Sequence, residues 1–104
     1  MTRLANRSKR RPLRLALAVS GEDFAGAPFT ERAFTVNVSG GGLAFEARRL
    51  LPVGAKLVLG ISIPRPLRRY FAGRDVYRVR AVVCRVERRA IHVRVGVRFL
   101  GEVS

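Results

Sequence analysis

The sequence predicts an all-β fold, a small six-stranded antiparallel β-barrel, and three observations lead to this prediction. Apolar and polar residues alternate with a period of two over several stretches, which is typical of strands that bury one face. Segments rich in glycine and proline separate these stretches, and no stretch has the pattern of a long helix. Because the apolar face of long strands has to be covered, the sheet is expected to close or nearly close on itself.

Six strands are expected along the chain. They cover residues 14–19, 32–38, 43–47, 56–63, 76–88 and 91–99. The last strand alternates most clearly, and its apolar face consists of Ile91, Val93, Val95, Val97 and Phe99. The segment 76–88 does not keep one face throughout, which indicates a bulge or a twist. Residues 20–28 contain two glycines and a proline and are expected to form a loop.

The strand predicted at 32–38 leads into a glycine-rich turn and then into the strand predicted at 43–47, which indicates a hairpin. Its side chains alternate between two faces. Ala33, Thr35 and Asn37 are expected on one face, and Phe34, Val36 and Val38 on the other. The phenylalanines of the predicted strands are expected in the core, and they are Phe34, Phe45 and Phe99.

The chain of 104 residues is long enough for one domain and too short for two. Residues 1–12 are polar and basic and are expected to form a flexible arm, followed by a single barrel domain over 13–104. No apolar run approaches the roughly 20 residues that a membrane-spanning helix needs. The sequence therefore predicts a cytoplasmic protein that does not insert into the membrane.

The net charge is +14, from 21 Lys and Arg against 7 Asp and Glu, and every cation except Lys9 and Lys56 is an arginine. The guanidinium group presents a planar fork of donors that suits phosphate and the guanine edge. This excess of positive charge predicts an anionic partner, although it does not say which anion.

The residues offer neither a catalytic group nor a metal site. Cys84 is the only cysteine and lies in an apolar run, so it is expected to be buried. His92 is the only histidine and has no partner at ligand spacing. The one adjacent acidic pair, Glu22 and Asp23, lies in a predicted loop where solvation explains it. The sequence therefore predicts a protein that is not an enzyme and holds no metal or cofactor.

Two short motifs point to a family. Asn37-Val38-Ser39-Gly40-Gly41-Gly42 has the form Asn/Asp-x-Ser-x-x-Gly, and Arg7-Ser8-Lys9-Arg10-Arg11, upstream, has the form Arg-x-x-x-Arg. The order and spacing of these motifs resemble those of the PilZ domain family. The sequence Val95-Gly96-Val97-Arg98-Phe99 is similar to the closing strand of that family. The resemblance covers about residues 7–100.

The resemblance implies a non-catalytic receptor for cyclic di-GMP that acts on a downstream effector protein, with a short or absent C-terminal helix. The resemblance implies that Asn37 recognises the Watson–Crick edge of a guanine. It implies that Ser39 either hydrogen-bonds to a phosphate oxygen or stabilises the turn. Gly41 and Gly42 would let the backbone approach the ligand and supply positive φ. The arginines expected at the ligand are Arg7 and Arg11, and Arg10 is a third candidate. They can bind guanine O6 and N7 or stack on the base.

Several alternatives remain open. The arginine motif fits Arg7 with Arg11, Arg10 with Arg14, and Arg3 with Arg7. The charge also suits a nucleic-acid-binding barrel, and a PilZ-like fold could bind only a partner protein. Residues 64–75 carry four arginines beside two aromatic residues, which suits either a solvated loop or a partner surface. If the arm carries the arginine motif, its ordering on the ligand is the expected signalling switch.

Overall fold

The computed structural model describes residues 10–103, and their regular secondary structure is β-strand except for one short helix. The strands are β1 (Arg11–Pro12), β2 (Ala16–Glu22), β3 (Pro28–Val38), β4 (Gly42–Ala47), β5 (Lys56–Ser62), β6 (Val76–Arg88) and β7 (Val93–Glu102). A 3₁₀ helix, Arg65–Phe71, connects β5 to β6. Within residues 10–103 no helix is long and apolar enough to cross a bilayer.

All strand pairs are antiparallel, and the order across the sheet is β1-β3-β2-β5-β6-β7-β4. An additional pairing joins β4, at one end of this order, to β3, which is second from the other end, and closes the sheet into a barrel. Strands β2 to β7 form the barrel wall, and β1 is an extra strand along the same edge of β3 as β2. The predicted all-β, six-stranded antiparallel barrel is therefore confirmed, and no helix follows β7 as far as Val103.

The first hairpin is longer than the sequence predicts. Residues 20–28 were expected to form a loop, but β2 runs to Glu22 and pairs there with Pro28, the first residue of β3. The carboxylate of Asp23 accepts hydrogen bonds from the backbone N–H groups of Ala25 and Ala27, at 2.9 and 3.0 Å. The carboxylate thus provides an acceptor for two backbone N–H groups of the turn. The turn can therefore be tight, and β2 and β3 extend almost to it.

The core lies inside the barrel and consists of the inward-facing residues of every long strand. Its most deeply buried side chains include Leu43, Phe45, Leu59, Val79, Val95 and Val97. Phe99 is partly buried and packs against this core, as expected for the last strand. The prediction for Ile91 is wrong, because it is 83% exposed. The hairpin pairing ends with Arg88 opposite Val93, so Ile91 lies in the loop, where no neighbouring strand covers it.

A β-bulge in β3 changes which side chains face the core. Thr35 pairs with Phe45 of β4 and Asn37 pairs with Ala44, so Val36 has no partner on β4. Thr35 is buried in front of the bulge, whereas Val38 packs against the core after it. The alternation therefore shifts by one residue. The sequence predicts Asn37 on the same face as Thr35, but Asn37 faces outward while Thr35 faces the core.

Phe34 is also placed differently from the prediction. It was expected in the core, but its side chain is 45% exposed because its neighbours Ala33 and Thr35 take the inward positions. The guanidinium carbon of Arg14 lies 4.0 Å from the centre of the Phe34 ring, so a cation–π contact covers part of the exposed ring.

A second bulge interrupts β6, where the sequence predicts an irregularity. Val83 pairs with Val97 of β7, and Arg85 pairs with the preceding residue, Gly96. Cys84 is the extra residue of this bulge and is exposed. The expectation that Cys84 is buried is therefore wrong. The reason is that Val83 faces the core while both residues after it face outward.

Candidate functional site

The turn between β3 and β4 is held together by the backbone and the hydroxyl group of Ser39. The N–H of Ser39 donates to the carbonyl of Gly42 at 2.8 Å. The Ser39 hydroxyl accepts from the N–H of Gly41 and lies within donating distance of the Gly42 carbonyl, both at 3.3 Å. Of the two roles expected for Ser39, the contacts within the described chain support the stabilisation of the turn.

Gly42 is required because β4 and β7 approach each other closely at this point. A Cβ atom on Gly42 would lie 2.1 Å from the carbonyl oxygen of Val97. A Cβ on Gly41 would have no neighbour within 4 Å. Neither glycine is among the residues with positive φ, so the expectation that they supply left-handed conformations is wrong. The reason for glycine at position 42 is the space between the two strands.

Arg10 reaches the asparagine of the second motif. Its Nη1 atom donates to Oδ1 of Asn37 at 2.9 Å. The contact follows from strand pairing, because β1 places Arg11 opposite Val38 and Pro12 opposite Asn37. Arg10, the residue just before β1, therefore lies close enough to the outward-facing Asn37 to form this hydrogen bond.

The other predicted arginines lie elsewhere or outside the described residues. Arg11 is exposed at the start of β1 and pairs with Val38 through its backbone. Arg14 lies over the ring of Phe34. The prediction for Arg7 falls outside the described residues. Among the described arginines of the possible motif registers, Arg10 is the one that contacts Asn37.

A row of four paired residues crosses the outer surface of the barrel next to the turn. Asn37 of β3 pairs with Ala44 of β4, Ala44 pairs with Gly96 of β7, and Gly96 pairs with Arg85 of β6. The polar residues at the two ends face outward because each directly follows the extra residue of a bulge. The two middle residues are small, so a shallow floor separates the polar ends. We call these four residues the cross-strand row.

Two adjoining cavities open over this surface. The larger has a volume of about 750 Å³, and its lining includes Arg10, Ser39, Gly41, Cys84, Arg85 and Arg98. The smaller has a volume of about 150 Å³ and is lined by the cross-strand row together with Arg10, Glu87 and Arg94. The turn of the second motif and the arginine before β1 thus border one continuous surface.

The charge around the cavities is mainly positive and only partly neutralised. Arg94 is paired with Glu46, and Glu87 is paired with Arg89 at 3.0 Å. Arg10, Arg85 and Arg98 form no salt bridge within residues 10–103. The guanidinium groups of Arg85 and Arg98 are therefore available to an anion at this surface, and Arg10 keeps further N–H donors besides the one that it gives to Asn37. The same residues contain no group of three His, Cys, Asp or Glu side chains that could hold a metal ion.

Sequence reasoning missed Arg85, Arg98 and Cys84 as residues of this surface. Arg98 occupies an outward position of β7, but the sequence carries many other outward arginines that look the same. For Arg85 and Cys84 the available signal was the broken alternation in 76–88. That signal indicated a bulge without indicating which residue it would turn outward.

Comparisons with known proteins agree with this architecture. The model of the PilZ domain matches residues 5–103. Among solved structures, the chain is similar to the Bacillus subtilis inhibitor of motility, MotI/DgrA, with a TM-score of 0.67 and 20% sequence identity. The similarity covers 91% of this chain and 42% of that protein, so this chain spans less than half the length of its neighbour. At this level of identity the similarity shows the fold. No curated protein matches the chain.

Proposed function

Because the chain belongs to the PilZ domain family, we propose that it is a non-catalytic cytoplasmic receptor that binds cyclic di-GMP over the cross-strand row and the 39–42 turn. The observation that carries this proposal is the hydrogen bond from Arg10 to Asn37. It brings an arginine of the first motif onto the asparagine of the second, at the edge of a cavity with unpaired guanidinium groups.

The chemistry of the cavity suits a ligand with two phosphates and two guanine bases. The amide of Asn37 has both a donor and an acceptor, which a guanine edge requires. Arg10 and Arg98 supply donors for phosphate oxygens or for guanine O6 and N7. The backbone of the turn at Gly41 is exposed, so a phosphate can approach without meeting a side chain there.

The proposed signal is the ordering of the basic arm, residues 1–12, on the bound ligand, starting from its end at Arg11 and Pro12, which already pairs with β3. In this proposal Arg7 and Arg11 add contacts from the arm to those of Arg10. Fixing each residue of the arm costs roughly 1–2 kcal/mol in backbone entropy. Hydrogen bonds to charged groups contribute about 1.5–3 kcal/mol each, so several arginine contacts are needed to order the arm. The ordered arm would then present a new surface to a downstream effector protein.

Titration calorimetry with cyclic di-GMP tests the proposal. The wild-type protein should bind, and both Asn37→Ala and Arg10→Ala should weaken binding about tenfold or more, because each removes a ligand contact. Arg32→Ala is the matched control, since Arg32 is an exposed arginine of β3 outside both cavities and its loss removes the same charge. If the wild-type protein releases no heat of binding, or if Arg32→Ala weakens binding as much as Arg10→Ala, the proposal is wrong.

A further inference from the structure

The side chain of Arg85 lies over its neighbour in the cross-strand row, Gly96. If Gly96 carried a Cβ atom, that atom would lie 3.7 Å from Cβ and 4.0 Å from Nε of Arg85. The side chain therefore lies over Gly96, which has no side chain of its own to lift it from the sheet. Arg85 borders both cavities, and the smaller one is also bordered by Asn37 and Arg10.

The guanidinium group of Arg85 is free, whereas the neighbouring charges of this cavity are engaged. Arg94 is held by Glu46 and Glu87 by Arg89, and Arg10 donates to Asn37. Arg85 has no hydrogen bond from its side chain and no salt bridge within residues 10–103. Its fork of donors is therefore unsatisfied by protein groups at the border of a small cavity.

The size and the floor of this cavity suit one planar base. Its volume of about 150 Å³ is well below the roughly 300–1,000 Å³ of a site for a drug-sized ligand. The floor is made by Ala44 and Gly96, which leave room above the sheet between Asn37 and Arg85. Three interstrand spacings separate the backbones of the two end residues, or about 14 Å. The two polar residues therefore stand at opposite ends of this floor.

We propose that Arg85 is a specificity-determining residue that recognises a guanine through O6 and N7, while Asn37 contacts the same base from the other end of the floor. The proposal rests on the function proposed above and adds a residue outside both motifs. A guanidinium fork binds the two acceptors of guanine in parallel. Adenine has an amino group where guanine has O6. The guanidinium group can therefore donate to N7 of adenine, but its second N–H faces another donor. Arg85 therefore favours guanine over adenine.

The distinguishing experiment measures affinities for cyclic di-GMP and cyclic di-AMP, which share a backbone and differ in their bases. We expect Arg85→Ala to weaken cyclic di-GMP binding about 10- to 100-fold, the discrimination typical of one bidentate contact. Binding of cyclic di-AMP, measured by competition, should change less than about threefold, because a lost surface charge alone is worth little. Arg80→Ala is the matched control, since Arg80 is exposed on the same strand and borders neither cavity.

A second variant tests whether Arg85 acts from its position over Gly96. A Cβ at position 96 makes only ordinary contacts, so the barrel should accept Gly96→Val. The larger side chain should fill the floor and displace Arg85, and it should therefore weaken cyclic di-GMP binding as Arg85→Ala does. In the double variant, Gly96→Val with Arg85→Ala, the affinity for cyclic di-GMP should fall by less than the product of the two single fold-changes. The reason is that both substitutions affect recognition of the same base.

The outcomes separate this inference from the function on which it rests. If the wild-type protein does not bind cyclic di-GMP, the proposed function fails and the inference fails with it. If Asn37→Ala abolishes binding while Arg85→Ala matches Arg80→Ala, the function stands and the role of Arg85 is refuted. Equal losses for both dinucleotides on Arg85→Ala would also refute it, since they would show a contribution of charge without recognition of the base.

Discussion

The contact between Gly42 and β7 supports a quantitative prediction about stability. In Gly42→Ala the added Cβ would lie 2.1 Å from the Val97 carbonyl oxygen and 3.1 Å from its carbonyl carbon. Both atoms belong to the backbone, so no flexible side chain can move aside. Gly42 pairs with Arg98 at the first position of the β4–β7 ladder, and relief of the clash requires the two strands to separate there.

The size of the effect follows from two contributions. Overpacking of a close contact costs about 1–3 kcal/mol, occasionally more. Separating the end of the ladder also weakens one or two hydrogen bonds at about 1 kcal/mol each. We therefore expect Gly42→Ala to lower the free energy of unfolding by about 3 kcal/mol. For a domain of this size, each kcal/mol changes Tm by roughly 4–8 °C, so Tm should fall by about 12–24 °C.

Urea denaturation measures this change, and Gly41→Ala is the matched control. A Cβ at position 41 has no neighbour within 4 Å, and its φ is not positive. Gly41→Ala should therefore leave stability unchanged or raise it by up to about 1 kcal/mol, because alanine restricts the unfolded chain. If the two variants have the same denaturation midpoint, the steric explanation of Gly42 is wrong.

Two further predictions concern the core and the second bulge. The buried hydroxyl of Thr35 donates to the Leu13 carbonyl and accepts from the Leu15 N–H at 2.8 Å. Thr35→Val should therefore cost about 1–3 kcal/mol in urea denaturation, because it leaves both backbone groups without this partner; the exposed Thr30→Val should change stability by less than about 0.5 kcal/mol, and equal effects would contradict the argument. Cys84, the only cysteine, should react with a maleimide in the folded protein, and saturating cyclic di-GMP should slow that reaction because Cys84 lines the larger cavity. Labelling that occurs only on unfolding would contradict its outward position, and labelling that the ligand leaves unchanged would contradict binding in that cavity.

Alternation was enough to predict the barrel because most inward positions keep a period of two. In β7, for example, Val95 and Val97 face the core as predicted. The bulges could not be located in this way. Val36, Asn37 and Val38 alternate perfectly along the chain, and only the pairing with β4 shows that Val36 is skipped. A bulge is a property of two paired strands, whereas alternation is a property of one.

The candidate site was predictable to a similar extent. The second motif identified Asn37 and the turn after it, because asparagine, serine and glycine have distinct turn chemistry. The arginine motif could not be aligned, because several arginines satisfy the same spacing. The pairing of β1 with β3 brings Arg10 to Asn37, and that pairing involves only Arg11 and Pro12. A strand of two residues is too short to show an alternation pattern, so β1 could not be recognised within the basic N-terminal segment.

The cross-strand row has a consequence for how the protein acquires activity during folding. Its four residues belong to β3, β4, β7 and β6, and its central pair, Ala44 and Gly96, joins two strands that are far apart in the sequence. Contacts between strands so distant in sequence form late and slowly in β-barrels. A chain with an open sheet therefore has no binding surface, and any ligand of that surface binds only the folded molecule. By mass action such a ligand raises the apparent stability of the whole barrel. Cellular abundance of the protein would then depend on the concentration of that ligand.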